Sequence, residues 1–344
     1  MLPQVPLKPE DRPRYTKDQL NAYFHMINLP PTHLKSPILS NPSLATSTQH
    51  ALPLLKALVL HHLTTVPFEN LSLHYSPRKT LSLDMHDLYA KIVGRNGHRG
   101  GYCMENNGLF GTVLRSLGFR VRNCAARVSR MMSPSEHVRA QQGQTYDGWN
   151  HMLNLVLLDG EWWVVDVGMG NMGPCAVYKL QDGVELESIA PRRIRLQKRA
   201  IAESYSAEEE GGGAVPKLWC FDVCYKPEVA EGEERAWIPT YAFTEAEFLP
   251  QDFEMMNYFT STNKACLFTY VLIITKMLAD EAGEKIVGDI TMLNDTVRRN
   301  FGSDRKVLRE CKTEKERVDA LRDFFGVELT EEDSESITPE LKIQ

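Results

Sequence analysis

The dipeptide Asp159-Gly160 constrains the fold of this chain strongly, because it separates two apolar runs, His151 to Leu158 and Trp162 to Val167. Two residues of this type between two such runs predict a β-hairpin with a tight turn. In that register, residues whose numbers sum to about 319 lie opposite each other. His151 and Asp166 then share one face, offset diagonally by two positions. A slip of one residue would place them on opposite faces.

Apolar residues recur with a different period on each side of residue 118, which predicts an α+β chain. Up to Gly118 they recur at helical spacing in four segments, and Ser82 or Asp84 suits the N-cap of the third. From Phe119 onward, short apolar runs alternate with turn signals, which is typical of an antiparallel sheet or barrel. The predicted helices cover residues 15–29, 52–63, 84–93 and 103–117, and the predicted strands cover 119–128, 151–158, 162–167, 177–180, 194–196 and 219–225.

The last third of the sequence mixes both periods. It predicts a helix over 245–258, a strand over 267–275, a helix over 313–325 and a frayed acidic tail after Glu331. Polar stretches at 32–50 and 129–148 and the acidic glycine-rich stretch 206–214 predict surface loops. At 344 residues, the chain is long enough for about two or three folding units.

The composition argues against several classes of protein. A formal net charge of -6 disfavours a dedicated nucleic-acid binder, which would carry a basic surface. No apolar run reaches the roughly 18 residues of a membrane span, and the first residues lack the apolar core of a secretion signal. Seven cysteines, an odd number, fit reduced thiols better than a disulfide framework. We therefore expect a soluble cytoplasmic protein with no nucleic-acid or membrane partner.

A cysteine at the start of a predicted helix is the first candidate for chemistry. In the run from Arg99 to Asn107, Gly100 and Gly101 lead the chain into Cys103. Glycine permits the dihedral angles of a tight loop, and a helix N-terminus favours negative charge, so a cysteine there gains thiolate character. The thiolate is the nucleophilic form. Taken alone, however, the run is more typical of a buried cysteine in a helix-entry turn.

His151 and Asp166 supply the other two groups that a cysteine nucleophile needs. An aspartate in an otherwise apolar strand is costly to bury unless a partner satisfies it. Each residue alone is typical of a structural role, but with Cys103 they match a nucleophile, a base and a group that orients the base. We infer a Cys-His-Asp triad that carries an acyl group on Cys103. The spacing of papain-like proteases, about 130–150 residues from cysteine to histidine, does not fit.

These residues resemble the active-site motifs of the arylamine N-acetyltransferases, and the resemblance spans nearly the whole chain. The stretch from Arg99 to Asn107 is similar to the family's active-site signature, and Val66 to Leu71 is similar to its VPFEN stretch. His151 and Asp166 lie where the family has its catalytic histidine and aspartate. The stretch from Asn257 to Phe268 resembles a later family motif.

The resemblance implies three domains: a helical bundle with the nucleophile over 1–118, a β-barrel with the histidine and aspartate over 119–230, and an α/β lid over 231–344. It also implies ping-pong transfer of an acyl group from the co-substrate acyl-coenzyme A to an aromatic amine or hydrazine. We expect a monomer without a metal. The implied site residues are Phe68, Tyr102 and Met169 for the acceptor pocket, and Gly148 and Gly170 near the coenzyme.

Several alternatives stay open. The insertions at 32–50 and 129–146 resemble fungal members of the family, some of which use malonyl-coenzyme A, so the donor group is acetyl, propionyl or malonyl. The same triad would serve a hydrolytic or transglutaminase-like enzyme, and a structural Cys103 would fit a non-enzymatic binding module. The basic run from Arg192 to Arg199 is a candidate for contact with coenzyme phosphates, although a solvated basic face is the simpler interpretation.

Overall fold

The computed structural model describes residues 8–94, 99–133, 135–204, 215–230, 232–302 and 304–343, so the predicted loop over 206–214 lies outside the described residues. Within these ranges, no helix is both long and apolar enough to cross a membrane. The helices are α1 Lys17–Met26, α2 Thr48–Thr65, α3 Ser72–Tyr75, α4 Met85–Ile92, α5 Cys103–Ser116, α6 Glu136–Gln142, α7 Pro250–Thr262, α8 Glu314–Phe325 and α9 Glu331–Glu335. The strands are β1 Phe68–Glu69, β2 Arg120–Val128, β3 His151–Leu158, β4 Glu161–Val165, β5 Tyr178–Lys179, β6 Glu185–Glu187, β7 Arg193–Arg199, β8 Leu218–Cys224, β9 Ile238–Phe243, β10 Ile273–Ala279, β11 Ile286–Leu293, β12 Thr296–Phe301 and β13 Asp304–Glu310.

The four helices predicted before residue 118 are confirmed as α1, α2, α4 and α5. The Asp84 side chain accepts the backbone N–H groups of His86 and Asp87, as expected for the N-cap of α4. Every residue of α5 from Cys103 to Leu114 is buried, because the helix packs against α4 on one side and against β2 and β3 on the other. The predicted nucleophile therefore sits at the first residue of a central helix.

The predicted hairpin forms in the predicted register. Asn154 pairs with Val165 and Leu155 pairs with Val164. Asp159 and Gly160 have φ angles of 47° and 82°, and a type I′ turn requires such positive values at both central residues. The ladder ends at Val165, so the aspartate that follows lies just beyond the strand and is free to turn toward the start of β3.

Eight strands form an antiparallel sheet in the order β5-β4-β3-β2-β9-β8-β7-β6. The sheet curls until its two edges approach each other, and the Tyr178 hydroxyl of β5 donates to the Glu187 carbonyl of β6 at 3.3 Å. The described backbone shows no ladder between these edges, which are only two and three residues long. The antiparallel sheet or barrel predicted for this region is therefore present as an eight-stranded sheet that curls into a half-barrel.

A second sheet of five antiparallel strands has the order β1-β10-β11-β12-β13. Phe68 of β1 pairs with Thr275 of β10, so a strand from the first third of the chain forms the edge of a sheet from the last third. The strand predicted over 267–275 is wrong in its first half, because Leu267–Thr269 forms a 3-10 turn and β10 begins at Ile273. α8 is confirmed, and its apolar residues pack against this sheet.

Two other boundaries differ from the sequence prediction. The polar stretch 129–148 contains α6, which begins where the Ser135 hydroxyl accepts the N–H of Val138. The helix predicted over 245–258 instead runs from Pro250 to Thr262. Proline suits a first helical position, and the Asp252 carboxylate accepts the N–H of Leu249 at 2.7 Å.

The C-terminal tail is packed, and the prediction that it frays is wrong. α9 and a 3-10 turn over Pro339–Leu341 follow Glu331, and Ile337 is buried between them. The Lys79 ammonium donates to the carbonyl of Ser336 at 2.8 Å. Burial of Ile337 and the hydrogen bond to the Ser336 carbonyl offset the conformational entropy that this acidic segment loses when it is ordered.

Candidate active site

Cys103 begins α5 and is buried, with 3% of its surface exposed. Its thiol lies 3.6 Å from the carbonyl oxygen of Asn150, the residue before β3. The first turn of a helix offers N–H groups without helical partners and a partial positive charge, which favour a negative charge placed beside it. The predicted nucleophile is thus at a helix N-terminus and beside the strand that carries the predicted base.

Glycines on both sides of the nucleophile allow three segments to meet. A Cβ atom on Gly100 would lie 1.7 Å from the carbonyl oxygen of Pro67. On Gly168, in the segment after Asp166, a Cβ atom would lie 2.7 Å from the Cα atom of Cys103. Side chains at these positions are excluded by contact, so the backbone of the loop after Asp166 packs directly on the nucleophile.

His151 and Asp166 are both 1% exposed and form a direct contact. His151 Nε2 lies 2.8 Å from Asp166 Oδ2, which leaves Nδ1 as the ring nitrogen available to a thiol. The other carboxylate oxygen, Oδ1, accepts the Asn107 amide and the Gly168 N–H, each at 2.9 Å. Three hydrogen bonds therefore hold this buried carboxylate and fix its orientation.

Their mutual charge sets the protonation of both groups. Burial by itself would lower the pKa of His151, but the charge of Asp166 and hydrogen bonds with Asp166 and Cys103 raise that pKa to about 10. Burial would likewise raise the pKa of Asp166, but the charge of His151 and the hydrogen bonds it accepts hold that pKa below its ordinary value. At neutral pH, the pair is an imidazolium and a carboxylate, and the imidazolium can balance a thiolate on Cys103.

Asn107 joins the nucleophile helix to the aspartate, and the sequence had assigned it no role. Its amide donates to the carbonyl of Met152 at 2.7 Å and to Asp166 at 2.9 Å, and its oxygen accepts the Val167 N–H at 3.0 Å. It lies four residues after Cys103, one helical turn along the same face. That spacing within the signature was the signal that could have identified it.

Tyr241 of β9 is a second neighbour of the triad that the sequence did not single out. Its ring centroid lies 5.1 Å from that of His151, and the ring stacks on Phe221 at 5.2 Å. Burial and the nearby charge of Asp166 raise the pKa of its phenol far above the ordinary value. The Tyr241 phenol therefore stays neutral beside the His151–Asp166 ion pair, and its ring shields that pair from water.

Two buried carboxylates and two cations hold the start of α5 in place. Glu69 is bound by Arg99 at 3.0 Å and by Lys91 at 3.5 Å. Lys91 also binds Glu105 at 2.7 Å, and the second oxygen of Glu105 accepts the N–H of Tyr102 at 3.1 Å. Because each carboxylate has a cation, neither charge is left uncompensated in the interior. The network fixes the turn that delivers the nucleophile.

Two of the predicted pocket residues adjoin the nucleophile. Tyr102 belongs to the apolar cluster around Cys103, and Phe68 packs against it. The Phe68 ring lies 5.9 Å from that of Phe268, and Tyr102 meets Phe268 edge to face at 5.6 Å. Tyr102 is fully buried, its hydroxyl binds the Asn257 side chain of α7, and its ring packs within the cluster around Cys103.

The other predicted residues lie farther from the sulfur. Met169 packs against the interior of the eight-stranded sheet rather than within the Cys103 cluster. Gly170 has a φ of 62°, and a Cβ atom there would lie 3.5 Å from Phe68. Gly148 is exposed in the segment before β3. The structure thus places Gly170 next to Phe68, whereas Gly148 is exposed and a Cβ atom there would meet nothing within 4 Å.

The basic run on β7 is occupied by acidic partners within the protein. Asp222 is bound by Arg195 at 3.0 Å and by Arg199 at 2.8 Å. Lys198 binds Glu245 at 2.7 Å. Arg192, just before β7, is the exception, because it donates to the Asn171 backbone carbonyl at 2.9 Å and has no carboxylate partner among the described residues. The suggested contact of this run with coenzyme phosphates stays a prediction.

Comparison with known proteins places this site in a family. A family model described as N-acetyltransferase matches residues 51–334. The chain belongs to the arylamine N-acetyltransferase family. The arylamine N-acetyltransferase of Mycobacterium tuberculosis is 30% identical, covering 91% of this chain and 90% of that protein. The N-malonyltransferase FDB2 of Fusarium pseudograminearum is 53% identical, covering 97% and 95%. The solved arylamine N-acetyltransferase of Nocardia farcinica has a TM-score of 0.70 at 25% identity, covering 96% and 99%.

Membership of the arylamine N-acetyltransferase family settles the class of reaction. The protein is an acyl-coenzyme A-dependent N-acyltransferase, and acyl-coenzyme A is its co-substrate. In the part of the chain that the structure describes, no group of three or more His, Cys, Asp or Glu side chains is arranged to hold a metal.

Proposed function

We propose that the enzyme transfers an acyl group by a ping-pong route, with a thioester on Cys103 as the intermediate. The observation that carries this proposal is the 2.8 Å contact between His151 and Asp166 beside a cysteine at a helix N-terminus. A thiol needs a base to become a strong nucleophile, and the base needs a group that holds its ring.

In the first half-reaction, the Cys103 thiolate attacks the carbonyl carbon of the donor thioester. The bond to the coenzyme sulfur breaks, and the His151 imidazolium gives its proton to that leaving thiolate. In the second half-reaction, the amine attacks the acyl-cysteine, neutral His151 takes the amine proton, and the Cys103 thiolate leaves. Asp166 keeps its charge throughout and orients the ring.

Transfer must outrun hydrolysis, and burial of the site supports that outcome. The cluster around Cys103 is apolar on most sides, with Met104, Met152 and Phe253 among its buried members. Excluding water protects the acyl-cysteine until an amine arrives. We propose that Phe68, Tyr102 and Met169 form the walls that accept a flat aromatic amine or hydrazine, and that Gly148 and Gly170 flank the coenzyme.

Malonyl-coenzyme A is the donor that we propose as preferred. The support is the similarity to proteins named N-malonyltransferase, at 53% and 52% identity over nearly the whole chain. A division into units at 1–118, 119–230 and 231–344, a monomeric state and a cytoplasmic location stay predictions from the sequence.

Exchange of labelled coenzyme A into malonyl-coenzyme A without any amine tests the ping-pong route. We expect exchange in the wild type, none in Cys103→Ala, and full exchange in the control Cys266→Ala, which removes a half-buried thiol. Amine transfer without exchange would indicate direct transfer and contradict the proposal. Equal rates of coenzyme release with and without amine would favour the hydrolase alternative.

A further inference from the structure

A malonyl donor brings a charge into the site that an acetyl donor does not. The terminal carboxylate enters together with the acyl group, next to a sulfur that is nearly excluded from water. A carboxylate without a partner is costly to bury. If the proposed malonyl donor is correct, on which this inference rests, the cleft must supply a cation to that carboxylate.

Most cations around the nucleophile already have acidic partners. His151 is bound by Asp166 at 2.8 Å, and Arg130 is bound by Asp147 at 3.0 Å. Lys91 and Arg99 belong to the network at the start of α5, where Glu69 and Glu105 are their acidic partners. Binding a substrate through His151, Lys91 or Arg99 would break an ion pair with a buried carboxylate, and binding through Arg130 would break its more exposed pair with Asp147.

Arg127 lies on the face of β2 that packs toward Cys103. Cys124 and Ala126 face the interior of the eight-stranded sheet, and Ala125 faces the other way, into the cluster that contains Cys103. Successive residues of a strand point to opposite faces, so Arg127 shares the face of Ala125. It is half-buried two positions further along that strand.

The contacts of Arg127 leave its charge uncompensated. The guanidinium stacks on the Trp149 ring at 4.2 Å and donates to the backbone carbonyl of Asp147 at 3.2 Å. No carboxylate oxygen among the described residues lies within 4.0 Å of it. Trp149 precedes Asn150, whose carbonyl touches the Cys103 thiol. Arg127, which has no acidic partner among the described residues, therefore contacts Trp149, and Trp149 directly precedes the residue whose carbonyl contacts the Cys103 sulfur.

We propose that Arg127 binds the terminal carboxylate of the malonyl group and selects the acyl donor. A guanidinium is planar and can donate two parallel hydrogen bonds to one carboxylate. Stacking on Trp149 fixes the plane of the Arg127 guanidinium and leaves N–H groups at its edge to donate to a carboxylate. An acetyl group has no carboxylate to receive them, so the contact favours the malonyl donor alone.

The ratio of kcat/KM for malonyl-coenzyme A to that for acetyl-coenzyme A, with one arylamine, tests the proposal. We expect Arg127→Met to lower this ratio by at least about tenfold, because a hydrogen-bonded charge pair is lost. Arg127→Lys, which keeps the charge without the fork, should lower it less. Both rates come from one preparation, so any misfolded fraction cancels.

Arg122→Met is the matched control. Arg122 lies on the same strand, stacks on Trp162 at the same 4.2 Å and donates to the backbone carbonyl of Glu245 at 3.0 Å. It faces the interior side of β2, away from the Cys103 cluster, so its loss should leave the donor ratio unchanged.

Three results would overturn the proposal. Unchanged kcat/KM values for both donors in Arg127→Met would show that the guanidinium does not meet the acyl group. Equal losses for both donors would indicate binding of a coenzyme phosphate or a structural role. A wild type that rejects malonyl-coenzyme A would refute the proposed donor itself, whereas the first two results would leave that donor intact.

Discussion

Replacing Asn107 by alanine removes the side chain that fastens Asp166, the proposed catalytic aspartate, to the helix that begins at Cys103. In the folded protein, this side chain donates to the carbonyl of Met152 and to Asp166, and it accepts the N–H of Val167. All four groups are buried or nearly so. The substitution therefore affects both the stability of the fold and the electrostatics of the triad.

The size of each effect follows from these bonds. Two backbone groups lose their partner in the interior, which costs about 1–3 kcal/mol each, so the free energy of unfolding should fall by about 2–6 kcal/mol. Asp166 keeps the N–H of Gly168 but loses a charge-assisted bond of about 1.5–3 kcal/mol. The pKa of Asp166 should rise and that of His151 should fall, which weakens the ion pair that supports the thiolate. We expect alkylation of Cys103 to slow by about tenfold or more.

Alkylation by iodoacetamide as a function of pH, with the labelled peptide identified by mass, measures that reactivity directly. Asn106→Ala is the control, because Asn106 is also buried in α5 but donates to the carbonyl of Pro67, away from the triad. It should label at the wild-type rate. Folded Asn107→Ala protein that labels as fast as the wild type would refute the role assigned to this residue.

Three further predictions concern stability and the loop. The pKa of His151 is raised from 6.5 to about 10, so protonated His151 stabilises the fold fully below pH 6.5 and this contribution is lost as the pH rises through 10. In urea titrations between pH 6.5 and 10, the difference in unfolding free energy between wild type and His151→Gln should therefore shrink as the pH rises. Lys91→Met leaves Glu105 without a cation and should cost about 3 kcal/mol by the same method, and a loss under 1 kcal/mol would contradict it. Gly101→Ala would place a Cβ atom 2.6 Å from Glu105 Oε2, so we expect at least about tenfold slower acylation in stopped-flow assays.

The hairpin and the helix start could be predicted because their signals are local. Positive φ values at Asp159 and Gly160 follow from the turn type, and the turn fixes the pairing of every residue in β3 and β4. The glycines before Cys103 mark the loop that enters α5. Local turn chemistry thus gave the correct face for both His151 and Asp166.

Contacts between distant segments could not be predicted in this way. Tyr241 reaches the triad because β9 pairs with β2, more than a hundred residues earlier in the chain. Nothing in the periodicity of either strand specifies that partner. The extent to which the eight-stranded sheet curls could not be predicted for the same reason, since it depends on how far the short edge strands β5 and β6 approach each other.

The sheet at the C-terminal end was missed because its strands lack a clear apolar alternation. β13 is mostly exposed and its sequence, Asp304–Glu310, is rich in charged residues, as suits an edge strand. The tail was misjudged because its acidic composition hides two apolar anchors, Ile337 and Leu341, that pack on the α8 side of the sheet. Tertiary packing overrides composition at both places.

A peptide map after mixing the enzyme with malonyl- or acetyl-coenzyme A, without an amine, tests the central claim most directly. Six of the seven cysteines are buried, and Cys266 is the half-buried one, so exposure alone would favour acylation at Cys266. The triad predicts one acyl group per chain on Cys103, discharged when an arylamine is added. Acyl groups on Cys266, or efficient transfer with no acylated Cys103 at any time, would contradict the account.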